Sequence, residues 1–82
     1  MTDIIVSADL WSTRMLPEGI VEEWFVANGA VVKAGDRIAQ VRIEDARHEL
    51  ITPAAGRLVI LSAPNSIVEP DSVIAQVFPF PS

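Results

Sequence analysis

The sequence predicts an all-β domain, a flattened sandwich or barrel with quasi-twofold symmetry, and three observations carry that prediction. Short apolar segments recur along the chain, rich in Val, Ile and Leu, and they are separated by Gly, Pro, Asn and Asp. None of these segments shows the i, i+3, i+4, i+7 spacing of an amphipathic helix. One fifteen-residue segment recurs later in the chain in a similar form. The 82 residues suffice for a single domain, taken as 1–82, and leave no room for a second.

Six strands are predicted where β-branched and other apolar residues cluster. They are expected at Asp3–Ser7, Gly19–Val26, Arg37–Ile43, Arg47–Ile51, Gly56–Leu61 and Val73–Phe78. The segments between them contain the residues that favour tight turns. These predicted turns are Leu16–Gly19, Ala27–Ala30, Lys33–Asp36, Pro53–Gly56, Ala63–Ser66 and Glu69–Ser72.

The repeat relates Ala27–Val41 to Ala63–Val77 with an offset of 36 residues and six identities in fifteen. The identities include Ile-Ala-Gln-Val in full, and Gly29 matches Asn65, two residue types that tolerate a left-handed backbone. Two copies are too few for a solenoid. The repeat therefore predicts two similar halves, each covering the apolar face of the other.

Composition excludes several functional classes. The chain has no Cys, which excludes disulfides, thiolate zinc sites and thiol nucleophiles, and its one His leaves a metal site dependent on carboxylates. We predict no metal site and no catalytic residue. The net charge of −5, without a basic cluster, disfavours nucleic acid. The short apolar segments and the N-terminus, which lacks basic residues, predict no membrane partner and a cytoplasmic location.

The most charged segment, Arg42–Leu50, lies between the two halves. If the halves are equivalent, this segment links them and projects from the body as a hairpin. Its arms are predicted to be Arg42–Glu44 and Arg47–Glu49, with Asp45-Ala46 at the solvated tip. On these grounds His48 is expected to be unburied.

Several motifs in this order resemble the biotinyl/lipoyl domain family, the carrier modules of 2-oxo acid dehydrogenase complexes and biotin-dependent carboxylases. The motifs extend over about residues 3 to 78 and comprise Glu18-Gly19-Ile20, Glu23-Trp24, Gly29-x-Val31-x-x-Ala34-Gly35-Asp36-x-Ile38-Ala39-x-Val41, Asp45-Ala46 and Pro53-Ala54-Ala55-Gly56-x-Leu58. The resemblance implies two four-stranded sheets related by a quasi-twofold axis, a barrel-sandwich hybrid.

The resemblance also implies a lysine at the hairpin tip, within Asp-Lys-Ala, whose amine forms an amide with lipoate or biotin. In this chain Glu44-Asp45-Ala46 falls there, so Asp45 occupies the lysine position. A carboxylate cannot accept the acyl group from an adenylate, because that step needs a nucleophilic amine. Lys33 is the only lysine, and it lies in a predicted turn. We therefore expect no bound cofactor.

Five residues are predicted to contact a protein partner: Trp11, Arg14, Glu44, Asp45 and His48. In the family, the loop after the first strand lies beside the hairpin tip and helps partner enzymes to recognise the domain. For Trp11 the alternative is partial burial as an anchor of that loop. Trp24 is expected to pack in the fold, with its indole N–H donating to a carbonyl or water.

Three functional hypotheses follow. The first is a non-acylated binding or regulatory module that docks on a 2-oxo acid dehydrogenase, ligase or carboxylase component. The second is an active lipoyl or biotinyl carrier domain of an acyltransferase or carboxylase complex, modified at an unorthodox position. The third is a purely structural domain.

Overall fold

A computed structural model describes residues 1–11 and 18–80 of the chain. These residues form eight strands and a short 3₁₀ helix, Ala8–Trp11. The strands are β1 (Thr2–Ile5), β2 (Gly19–Trp24), β3 (Val31–Val32), β4 (Arg37–Ile43), β5 (Ala46–Ile51), β6 (Gly56–Ile60), β7 (Ile67–Val68) and β8 (Val73–Phe78). The predicted all-β class is confirmed.

Two four-stranded antiparallel sheets face each other, with strand orders β1-β8-β6-β3 and β5-β4-β2-β7. The orders coincide when β1, β8, β6 and β3 are superposed on β5, β4, β2 and β7. Hydrogen bonds repeat in the same way: the Leu58 N–H donates to the Ala30 carbonyl at 2.9 Å, and the Val21 N–H donates to the Ser66 carbonyl at 3.0 Å. The quasi-twofold barrel-sandwich fold predicted from the repeat and the resemblance is therefore confirmed.

Backbone conformation at the turns follows the sequence repeat. Gly29 and Asn65 have φ angles of 86° and 68°, and the next pair, Gly35 and Asp71, have φ angles of 96° and 65°. Gly, Asn and Asp are the residues that adopt this left-handed conformation at least cost. Equivalent turns thus use different residues that meet the same steric requirement.

The predicted strands all exist, with ends that shift by one or two residues. β4 and β8 have the predicted bounds, whereas β1 ends at Ile5 because the chain then enters the 3₁₀ helix. The two-residue strands β3 and β7 were not predicted, since two residues carry no periodicity. Two of the four residues of the predicted turn Leu16–Gly19 lie outside the described residues.

The core consists of aliphatic side chains directed between the sheets, together with Trp11. The fully buried members include Ile38, Ile43, Leu58, Ile74, Val21 and Val77. Thr52 is the one buried polar residue identified in the described part of the chain, and its hydroxyl donates to the Ala54 carbonyl at 2.7 Å. No helix among the described residues is long and apolar enough to cross a membrane.

Candidate functional site: the β4–β5 hairpin

The hairpin between β4 and β5 closes with a two-residue turn, Glu44-Asp45. Ile43 lies opposite Ala46, so the tip is one residue earlier than the predicted Asp45-Ala46. That prediction was wrong because Ala46 has β conformation and pairs with Ile43. Glu44 has a φ of 53°, which places the first turn residue in the left-handed region common in tight hairpins. Asp45 is exposed at the second turn position.

This register sets the direction of each side chain, because a shift by one residue exchanges the two faces of a strand. Ala46, His48 and Leu50 are half-buried and face the interior, while Arg47 and Glu49 are exposed. The prediction of an unburied His48 was therefore wrong. Its Nε2 is shielded from solvent and has no hydrogen-bond partner among the described residues.

On the outer face of the hairpin, one carboxylate lies between two arginines. Arg42 and Arg47 are directly opposite each other on β4 and β5, an unfavourable pairing of like charges. Glu22 on β2 accepts a hydrogen bond from the Arg47 Nε at 3.1 Å, and its other oxygen lies 4.0 Å from the Arg42 Nε. Glu22 was not among the predicted site residues, because only the β2–β4 pairing brings it to the hairpin.

A groove of about 320 Å³ lies beside the tip. It combines the aliphatic side chains of Ile20 and Ile67 with carboxylates from the chain before β2 and from the turn. Its lining residues are Glu18, Gly19, Ile20, Arg42, Glu44 and Ile67. Ile67 is 64% exposed, so the tip is bordered by an apolar surface open to solvent.

The two tryptophans anchor the fold. Trp11 is only 7% exposed and packs in the core, and a Cβ placed on Gly19 would lie 3.2 Å from its ring. The structure thus agrees with the loop-anchor alternative and removes Trp11 from the set of side chains a partner can contact. Trp24 is half-buried and its indole N–H donates to the Ser62 carbonyl at 2.8 Å, as predicted. Arg14 lies outside the described residues.

Lys33 lies far from the tip. It belongs to the turn between β3 and β4, where its backbone N–H donates to the Asp36 carboxylate at 2.8 Å. The Gly35 N–H of the same turn donates to the Thr52 carbonyl at 2.8 Å, which fixes the turn beside the far end of the hairpin. The seven residues of β4 separate this turn from Glu44, a distance of roughly 20 Å.

The acidic and imidazole groups of the hairpin do not converge. Glu44 and Asp45 are in the turn, while His48 and Glu49 point to opposite faces of β5. Within residues 1–11 and 18–80, no group of three or more His, Asp or Glu side chains is arranged to hold a metal ion.

Comparison with known proteins identifies the same fold. A family model described as "Biotin-requiring enzyme" matches residues 13–77. A similar solved structure is the lipoyl domain of the 2-oxoglutarate dehydrogenase complex from Azotobacter vinelandii, with a TM-score of 0.72 and 18% identity over 92% of this chain and 95% of that one. No curated protein matches the sequence.

Proposed function

The chain belongs to the biotinyl/lipoyl domain family, and from that premise we propose that it is a non-acylated binding or regulatory module of lipoyl- or biotin-dependent enzymes. One observation carries the proposal: the hairpin that presents the acylated lysine in this family is intact, and its tip is Glu44-Asp45. The scaffold is kept while the reactive amine is replaced.

The position of Lys33 argues against attachment elsewhere. A swinging arm needs its anchor on a projecting element, so that the cofactor reaches several active sites. Lys33 is in a compact turn whose backbone hydrogen bonds to Asp36 and Thr52, at the opposite end of β4. The chain is thus not expected to carry lipoate or biotin, and on its own it is not an enzyme.

The tip and its groove are the proposed docking surface. Glu44 and Asp45 give the tip negative charge, and the half-buried Ile20 and the exposed Ile67 add aliphatic surface beside it. A partner with basic and apolar side chains around a lipoyl-accepting cleft complements this surface. Candidate partners are a component of a 2-oxo acid dehydrogenase complex, such as the 2-oxoglutarate dehydrogenase complex, a cofactor ligase or a biotin-dependent carboxylase.

The attachment half of the proposal is tested by mass spectrometry. The protein is incubated with ATP, cofactor and either lipoate ligase or biotin ligase, and its intact mass is then measured. We expect no added mass for the natural chain and a lipoyl or biotinyl mass for Asp45→Lys, which controls for recognition of the fold. An added mass on the natural chain would instead establish an active carrier modified at an unorthodox position.

The docking half is tested by binding. Titration against purified dehydrogenase components, ligases and carboxylase subunits should identify a partner whose affinity falls at least about tenfold for Glu44→Lys/Asp45→Lys. Arg57→Glu, on the other sheet, serves as a control for a change of charge away from the tip and should leave the affinity unchanged. A chain that binds none of these components would support the purely structural alternative.

A further inference from the structure

We propose that two copies of this chain pair along the free edges of their β5 strands, so that two four-stranded sheets join into one of eight strands. Among residues 1–11 and 18–80, β5 is at the edge of its sheet and pairs only with β4. At six residues it is the longest edge strand, against four in β1 and two each in β3 and β7. A long edge to which no other described strand is bonded is a template for another strand.

The backbone of β5 is oriented for this pairing. The residues that flank a two-residue hairpin turn exchange hydrogen bonds, so Ala46 and, two residues on, His48 direct their backbone groups to β4. The N–H and C=O groups of Arg47 and Glu49 then point away from β4. Among the described residues no backbone hydrogen bond reaches them.

The charge pattern selects one register and identifies the partner as a second copy. The outward backbone groups of the two β5 strands face each other only at every second register, because these groups belong to alternate residues. In one of them Arg47 faces Glu49 of the second copy and Glu49 faces Arg47 of that copy, which forms two opposite-charge pairs. A shift by two residues either way places Arg47 opposite Arg47 or Glu49 opposite Glu49, and both pairings are unfavourable.

The existing ion pairs extend across this junction. Arg47 already pairs with Glu22 at 3.1 Å, and Glu49 already pairs with Arg37 at 3.0 Å. In the selected register these pairs form a line of alternating sign, Glu22, Arg47, then Glu49 and Arg37 of the second copy. No ion pair has to break.

The centre of the pairing is His48, which faces His48 of the second copy across the twofold axis. Its side chain is half-buried at this edge, so part of the imidazole remains accessible to a second copy. A neutral imidazole carries one donor and one acceptor, so a second imidazole on the same face of the sheet supplies a polar neighbour. Pairing also covers the half-buried Ala46 and Leu50 side chains at the edge.

Charge exchange at two positions tests the register. The natural chain is analysed by sedimentation velocity from about 10 µM to about 1 mM, a range suited to a small interface. The fraction of dimer should increase with concentration. Arg47→Glu and Glu49→Arg should each remain monomeric alone, because like charges then face each other. Mixing these two variants should restore the dimer, and so should combining both changes in one chain.

Two matched controls separate this edge from general effects of charge. Asp3→Arg changes the edge strand of the other sheet and Arg57→Glu changes β6, and neither should alter the dimer. Circular dichroism confirms that each variant folds. A chain that stays monomeric at all concentrations overturns the proposal, and a dimer that survives Glu49→Arg assigns the contact to another surface.

Site-specific oxidation provides a second readout. The chain has no cysteine, and facing residues at a non-hydrogen-bonded position are close enough for a disulfide. Under oxidation His48→Cys should form a covalent dimer on a non-reducing gel. Leu50→Cys, on the same face of β5, should not, since the two Leu50 positions are four residues apart along the strands. Equal cross-linking of both variants would refute the register.

Discussion

Gly56, the first residue of β6, is expected to tolerate no side chain. Its φ is 153°, a conformation that only glycine adopts readily, and a Cβ there would overlap the backbone carbonyl of Phe78 on β8. The conformation alone costs about 1–3 kcal/mol for a non-glycine residue, and overpacking adds about 1–3 kcal/mol. Gly56→Ala should therefore lower the free energy of unfolding by about 3 kcal/mol.

Gly35 provides the matched control. Its φ of 96° is also unfavourable for alanine, but a Cβ there would meet no atom within 4 Å. Gly35→Ala should cost only about 1 kcal/mol, the conformational penalty without the steric one. Gly35→Asp should cost less, because Asp71 occupies the equivalent position of the repeat at a φ of 65°.

Urea unfolding followed by circular dichroism and tryptophan fluorescence measures these differences. With an m value of about 1.5 kcal/mol/M, Gly56→Ala should lower the midpoint by about 2 M and Gly35→Ala by about 0.7 M. Equal shifts for the two variants would show that β6 does not approach the Phe78 carbonyl as the structure has it.

Three other substitutions test the hairpin and the core. Asp45→Lys should change the free energy of unfolding by no more than about 0.5 kcal/mol, because the tip is exposed, and a larger loss in urea unfolding would mean that Asp45 stabilises the fold. Thr52→Val should cost about 1–3 kcal/mol in the same assay, since it removes the partner of the Ala54 carbonyl and N–H in a buried site. Glu22→Gln should lower the free energy of unfolding by under about 1 kcal/mol, because it leaves two exposed arginines opposite each other. Salt screens this repulsion, so the loss should be smaller at high salt, and a loss that does not depend on salt would contradict the explanation.

The sequence predicts the fold well where a local pattern reports on packing. β5 alternates in burial along its whole length, and β4 and β8 do so except for one pair of adjacent buried residues each. The repeat identifies the equivalent turns, because glycine, asparagine and aspartate all tolerate a left-handed backbone. The equivalence of β1–β2 to β5–β6 is not visible in the sequence. It depends on backbone hydrogen bonds, which many different side chains permit.

The site is predicted less completely, because its properties depend on register and on tertiary pairing. His48 was expected at a solvated tip, but it lies opposite the buried Val41 and therefore on the same, inner face of the sheet. Glu22 reaches Arg47 from a strand 25 residues away, a contact that no local motif reports. Trp11 lies in a segment that was expected to be an exposed recognition loop. Its side chain is nevertheless buried in the core.

The two proposed surfaces of the hairpin can operate together. Antiparallel pairing of β5 directs the two tips to opposite ends of the joined sheet. In the selected register each Asp45 lies opposite Ile51 of the second copy, so the two Asp45 positions are roughly 20 Å apart along the strands. A dimer then presents two docking tips to one multisubunit partner, and the second contact forms at a raised effective concentration. Arg47→Glu should accordingly weaken binding to a multisubunit partner and leave binding to its isolated subunit unchanged.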